Sequence, residues 1–208
     1  MMFAASLLSI FAYGAVHSLM AALGFKSRMR RTLGERAYEG LYRLLYNAIS
    51  AVLFAPVMLV VVLAPANALW RVPLPWAAPL MLLQFAALLC LTLAVLQADP
   101  LRFAGLSQLL AYLRGDPLPL PPEPLQTGGL YALVRHPLYL FSLLILWSVP
   151  VMTDTFLGLV IGATIYFVVG SRLEERRLER EFGEQYRRYR QRVPWMLPWP
   201  RPTRASKA

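Results

Sequence analysis

Five apolar blocks alternate with polar ones along this chain: Met2 to Leu23, roughly Ala48 to Leu69, Trp76 to Ala98, Pro137 to Met152 and Phe156 to Gly170. The first three are as long as the ~20 residues that carry a helix across a ~30 Å hydrocarbon core. The last two are shorter, about 15 to 16 residues each, and only Thr153-Asp154-Thr155 separates them, which predicts a tight helical hairpin. The pattern therefore predicts an all-α, polytopic membrane protein with five transmembrane helices. The first block lacks the basic leader of a secretory signal and its positive charges follow it, so it reads as a retained helix.

Beyond the fifth block, Leu178, Phe182, Tyr186, Tyr189 and Val193 recur at steps of four, four, three and four, the face of one helix in an otherwise charged segment. Such a cytoplasmic amphipathic helix can float its stripe in the headgroup layer with its arginines toward anionic lipid. Gly183 weakens it slightly, and Pro194, Pro198, Pro200 and Pro202 end it in an irregular tail. Between blocks three and four, Gly115 to Pro124 holds five prolines, an extended segment that serves as a rigid linker or as a lid over a ligand.

Composition agrees with the pattern: 58% of the 208 residues are hydrophobic and 15% charged. The net charge of +10 is not the footprint of a nucleic-acid binder, because the cations sit between apolar blocks instead of on one soluble face. Of the 21 basic residues, only Arg71 falls in a segment of the opposite side. The positive-inside bias then predicts an N-terminus outside and a cytoplasmic C-terminus in a bacterial inner membrane, with the bilayer as partner. Cys90 is alone within an apolar block, so a disulfide framework is excluded, and no metal-ligand spacing occurs. Trp70, Trp76, Trp195 and Trp199 flank apolar blocks as interfacial anchors.

Two constellations could carry chemistry. Gly129-Leu130-Tyr131-Ala132-Leu133-Val134-Arg135-His136-Pro137-Leu138-Tyr139 sets a histidine and two tyrosines around a helix start, where unsatisfied N–H groups and the helix dipole suit an anionic ligand end. Leu173-Glu174-Glu175-Arg176-Arg177-Leu178 places carboxylates at the exit of block five, and the short hairpin should bring that exit back beside His136. Each alone is equally a capped helix end or a run of solvated charge. His17, midway along block one, is an ionisable group in hydrocarbon and so either a functional residue or a neutral interhelical contact. Asn47, Gln84, Thr92 and Gln97 carry the same ambiguity.

Taken together, Gly-Leu-Tyr, Arg-His-Pro-x-Tyr, Glu-Glu-x-x-Leu, Phe-Gly-x-x-Tyr-x-x-Tyr and Arg-Val-Pro-x-x-Leu-Pro, over Gly129 to Tyr139 and Glu174 to Pro198, resemble the isoprenylcysteine carboxyl methyltransferase family of integral membrane methyltransferases. Ala15-Val16-His17-Ser18-Leu19 and Tyr42-Arg43-Leu44-Leu45-Tyr46-Asn47 are similar to NnrU-type and methanethiol S-methyltransferase-like bacterial proteins. The resemblance implies an enzyme that uses S-adenosyl-L-methionine, with residues 1–114 as a substrate-side scaffold and 115–208 as the cofactor-binding region. It places Leu125, Gln126, Tyr131, His136, Pro137, Leu138, Tyr139, Glu174 and Glu175 at the cofactor. A thiol acceptor must become a thiolate, which needs only modest help, from His136 or a nearby cationic arginine such as Arg192. The acceptor it implies is small or lipid-like: a thiol, a carboxylate or an amine. Two positions depart from the pattern. Phe141 stands where the family often has glycine, and Gly170 where prenylcysteine enzymes carry a substrate arginine, with Arg172 as its nearest substitute. Other readings are a non-catalytic NnrU-like protein linked to nitrogen-oxide metabolism and an NADPH-dependent membrane reductase.

Overall fold

The structure, a computed structural model, describes residues 1–199; Pro200, Pro202 and the rest of the predicted tail lie outside the described residues. The chain is mostly helical. Helix α1 (Met2–Ala21) leads through a short polar helix α2 (Leu23–Leu33) into α3 (Glu35–Leu63). Strand β1 (Ala68–Arg71), helix α4 (Ala77–Gln97) and two short helices, α5 (Pro100–Ala104) and α6 (Leu106–Arg114), follow. After the proline-rich strap come a 3-10 turn (Gly129–Ala132), α7 (Pro137–Trp147), β2 (Val151–Thr153), α8 (Asp154–Phe182) and α9 (Glu184–Arg192).

Four helical stretches, α1, α3, α4 and α8 with its continuation α9, are long and apolar enough to cross a membrane. The fifth predicted span is cut down. Block four forms only the 11-residue α7, about 16 Å of helix, because Ser148 ends it and the chain then turns into β2. The all-α expectation is corrected in one place: β1 and β2 form an antiparallel two-stranded ribbon, with Trp70 opposite Met152 and Arg71 opposite Val151. Asn67 and Asp154 exchange backbone and side-chain hydrogen bonds at its end. The ribbon fixes the α3–α4 and α7–α8 connections at one end of the bundle, and Thr153 Oγ1 caps α8 by accepting from Phe156 N at 3.1 Å.

Small residues set the closest helix contact. Gly158 and Gly162 lie one turn apart on α8, and a side chain at either would strike α1, at the Phe3 carbonyl and at Ile10 respectively. This stripe lets the two backbones approach, as small-xxx-small stripes do between membrane helices. Ile10, Val57 and Leu159 form the core where α1, α3 and α8 meet. Helix α4 packs along α7, and α6 along α3, where Tyr112 covers Gly40.

The amphipathic stripe faces protein, not headgroups. Tyr186, Tyr189 and Val193 are buried against Leu125 of the strap, with Leu178 and Phe182 beside them. Gly183, at φ 52, breaks the helix into α8 and α9 and so turns Tyr186 and Tyr189 inward. The glycine stripe yields a direct expectation: Gly162→Leu, which forces α1 off α8, should lower stability by about 1–3 kcal/mol. Gly24→Ala, where nothing lies within 4 Å of the added carbon, should leave the melting temperature in detergent unchanged or slightly raised.

Candidate functional site

The two sequence blocks meet. His136 precedes α7 with its ring almost wholly buried, Nδ1 lying 3.5 Å from Glu174 Oε2 and Nε2 3.4 Å from Glu175 Oε1. Arg135 completes the group: its Nη2 is 2.8 Å from Glu175 Oε1, and its Nη1 donates to the Arg190 carbonyl at 3.1 Å. Arg135 and the His136 imidazole thus face two carboxylates, three of the four residues being buried, and a buried charge is tolerated only with such compensation.

Backbone bonds fix the pairing. Arg135 N donates to the carbonyls of Pro194 and Trp195, at 2.9 and 3.1 Å, and His136 N to Trp195 at 3.3 Å. The Arg-Val-Pro segment is therefore a clasp over the start of α7. From α9, the Tyr189 hydroxyl donates to the Tyr131 carbonyl at 2.6 Å.

Electrostatics follow from this enclosure. Burial disfavours charge on His136, but Glu174 and Glu175 outweigh it and hold the imidazole pKa above its ordinary value. Burial, aided by the Glu174 charge, pushes the Tyr131 phenol up to about 12. Tyr139 stacks on His136 at a centroid distance of 5.5 Å, and Phe167 stacks on Tyr139 at 5.1 Å. No side chain caps the start of α7, so its first-turn N–H groups have no side-chain acceptor.

The remaining predicted residues are placed as follows. Pro137 is fully buried and Leu138 partly so. Leu125 packs on Tyr186 and Tyr189, and Gln126 Nε2 donates to the Gln97 carbonyl at 3.0 Å, so both belong to the strap. Arg192 is exposed on α9, and the cation that meets Glu175 is Arg135. Arg172 lies over the Trp195 indole at 4.0 Å. Phe141 packs against Val134, Leu140 and Met196, so its bulk fills a core. At Gly170 an added side chain would meet only the Tyr139 hydroxyl, at 3.9 Å, which leaves free space beside that ring.

Sequence reasoning missed a cavity of about 390 Å³ whose lining includes Tyr42 and Tyr46 of α3, Arg102 of α5, Pro119 and Leu120 of the strap, and Arg177 of α8. Arg177 stands one turn beyond Glu174, so the cavity adjoins the charge cluster. The strap is pinned over it: Glu123 Oε1 is 2.9 Å from both Arg43 Nη1 and Arg102 Nε. The lining carries the cations Lys26, Arg43, Arg102 and Arg177 against the carboxylate Glu39; burial first, then Arg177 and Arg43, push the Lys26 ammonium below its usual range. The only local signal for it was the Tyr-x-x-x-Tyr spacing of residues 42 and 46, which also fits plain core packing.

The comparisons with known proteins bear on this arrangement. Residues 5–198 match the NnrU protein family. The chain belongs to that family. It is 32% identical over 201 residues to methanethiol S-methyltransferase 1 of Bradyrhizobium diazoefficiens, covering 94% of this chain and 67% of that protein. It is 35% identical over 199 residues to methanethiol S-methyltransferase of Mycobacterium tuberculosis, covering 93% and 76%. Nurim of Xenopus laevis is 31% identical over 171 residues, covering 79% and 58%. No solved structure matches the chain. These relationships bear out the resemblance read from the motifs and make this NnrU-family chain a membrane methyltransferase.

The carboxylate pair predicts a measurable protonation state. With only two histidines in the chain, nitrogen NMR of histidine-labelled protein should show His136 titrating above the ordinary value of about 6.5. In Glu174→Gln/Glu175→Gln, burial is left unopposed by those carboxylates, so the midpoint should fall below the wild-type one.

Proposed function

We propose that this NnrU-family protein transfers a methyl group from S-adenosyl-L-methionine to a small thiol at the cytoplasmic face of a bacterial inner membrane. The observation that carries this reading is the Arg135–His136–Glu174–Glu175 cluster beside a cavity with a positive lining. The methyltransferase relatives carry the same acceptor class in their name, methanethiol.

The residues present fit such a cofactor. His136 Nε2 and Glu175 Oε1 are buried without a well-aligned hydrogen bond, and the Glu174 side chain, 34% exposed, offers an oxygen to an amine or to ribose hydroxyls. The uncapped start of α7, at Leu138 and Tyr139, suits a carboxylate. The Tyr139 and Phe167 faces suit a sulfonium. Tyr131 and Pro137 form the wall behind them, and Leu125 and Gln126 hold the strap across the opening. When bound, S-adenosylmethionine supplies an electrophilic methyl group.

The protein's own tasks are then to align the acceptor and to exclude water. The strap closes the polar side of the cavity through Glu123. His136, with its two ring nitrogens facing Glu174 and Glu175, fixes the Glu174 side chain. Gly170 leaves beside Tyr139 the space that a substrate arginine would fill, in keeping with a small acceptor over a prenylcysteine carboxylate. Arg172, over Trp195, braces the clasp.

The basic connections lie at the end of the bundle away from the β1–β2 ribbon, and the positive-inside bias makes that end cytoplasmic. On this orientation α7 and its flanking turns complete a fifth, short crossing, and residues 115–199 form the cofactor-binding part.

Isothermal titration of detergent-purified protein with S-adenosylhomocysteine tests the reading, with headspace detection of dimethyl sulfide from methanethiol. Binding should weaken at least about tenfold in His136→Ala and Glu174→Ala, as loss of a charged hydrogen-bond partner does. No binding to the wild type, or binding indifferent to both substitutions, sinks it.

A further inference from the structure

The proposed thiol acceptor must lose a proton, and in the charge cluster both ring nitrogens of His136 already face carboxylates. A second, partly buried polar group stands behind one wall of the cavity. Tyr46, which lines the cavity, places its hydroxyl 2.5 Å from His17 Nε2. His17 Nδ1 is 2.9 Å from Ser50 Oγ, and Ser50 Oγ donates to the Tyr46 carbonyl at 2.7 Å.

These contacts fix the direction of every proton. A serine hydroxyl has one hydrogen, and here it is spent on the Tyr46 carbonyl, so Ser50 Oγ must accept from His17 Nδ1–H. The neutral imidazole then carries its lone pair on Nε2, aimed at the Tyr46 hydroxyl, which donates to it. A basic nitrogen thus stands directly behind the hydroxyl of a tyrosine that lines the cavity. Ring contacts link this group to the proposed cofactor site: His17 with Tyr166, Tyr166 with Phe167, Phe167 with Tyr139 and Tyr139 with His136.

We propose that Tyr46 is the group that takes the acceptor's proton, with His17 as the positioning base behind it and Ser50 as its anchor. The step balances. The thiol S–H proton passes to the Tyr46 oxygen as the phenol proton passes to His17 Nε2, leaving tyrosine unchanged and His17 as imidazolium. A sulfur lone pair forms the new bond to the methyl carbon while the carbon–sulfonium bond breaks and leaves its electron pair on the donor sulfur. The products are a methyl thioether and S-adenosylhomocysteine, and the His17 proton returns through Tyr46 to water. The positive lining favours the developing thiolate.

This inference rests on the proposed thiol methylation, and its test has one arm that needs no cofactor. Nitrogen NMR of histidine-labelled protein in micelles should show neutral His17 protonated at Nδ1 and bare at Nε2, with the Nε2 signal shifting in Tyr46→Phe. A proton on Nε2 overturns the proposal even where S-adenosylhomocysteine binds normally. The second arm compares an alkanethiol, protonated at assay pH, with an aryl thiol that is already thiolate. Tyr46→Phe and His17→Gln, the latter able to keep the hydrogen bond but not to take a proton, should each lower kcat for the alkanethiol by about 100-fold or more. The KM for S-adenosylmethionine and turnover of the aryl thiol should stay within about fivefold of wild type, since neither depends on general-base help. Equal loss with both thiols, or no loss with either, overturns the proposal. Failure of the wild type to bind S-adenosylhomocysteine instead overturns the methyl-transfer reading beneath it.

Discussion

The organisation of this protein depends on one buried arrangement of charge, the pairing of Arg135 and His136 with Glu174 and Glu175. Each of these groups, alone in a poorly solvated interior, would cost several kcal/mol. Together they compensate one another, and removal of any member strands its partner. That interdependence holds the exit of α8 against the entrance of α7, and the carbonyls of Pro194 and Trp195 close the loop by capping the N–H groups of Arg135 and His136. The C-terminal clasp, the α8 carboxylates and the start of α7 are thereby one rigid body.

A second constraint acts at helix-packing distance. The Gly158–Gly162 stripe draws α1 onto α8 and so brings His17 to the Tyr166–Phe167 face of the same helix that carries Glu174. Helix α8 is thus the shared wall of two polar groups, with the cavity on its basic side. In a membrane enzyme this separation has a physical use. The charge cluster can hold a zwitterionic cofactor near water, while the Tyr46–His17 pair stays uncharged until it takes the acceptor's proton. The tight Glu123 pairing with Arg43 and Arg102 ties the strap to the floor of that space.

The sequence by itself determined the helices whose apolar length exceeds a membrane core, the basic bias of one set of connections and the neighbourhood of His136 and Glu174. These follow from local quantities: hydropathy is the sum of independent transfer preferences, and a hairpin of known length returns its end to its start. Only the tertiary structure decided the rest. Ribbon β1–β2 has four and three residues with no alternating pattern of their own, and forms because the two connections lie side by side. The stripe from Leu178 to Val193 was legible as one helix face, but whether it met lipid or protein turned on Leu125, more than fifty residues earlier in the chain. Arg135 read as one more positive-inside residue, and Arg192 as a candidate helper, because which arginine reaches Glu175 is fixed by the clasp and by no spacing. His17 was visible only as an ionisable residue in an apolar run. Its partners, Tyr46 and Ser50, belong to another helix, and the direction of its proton is set by a serine hydroxyl with a single hydrogen to give, a property of packed neighbours that no linear pattern encodes.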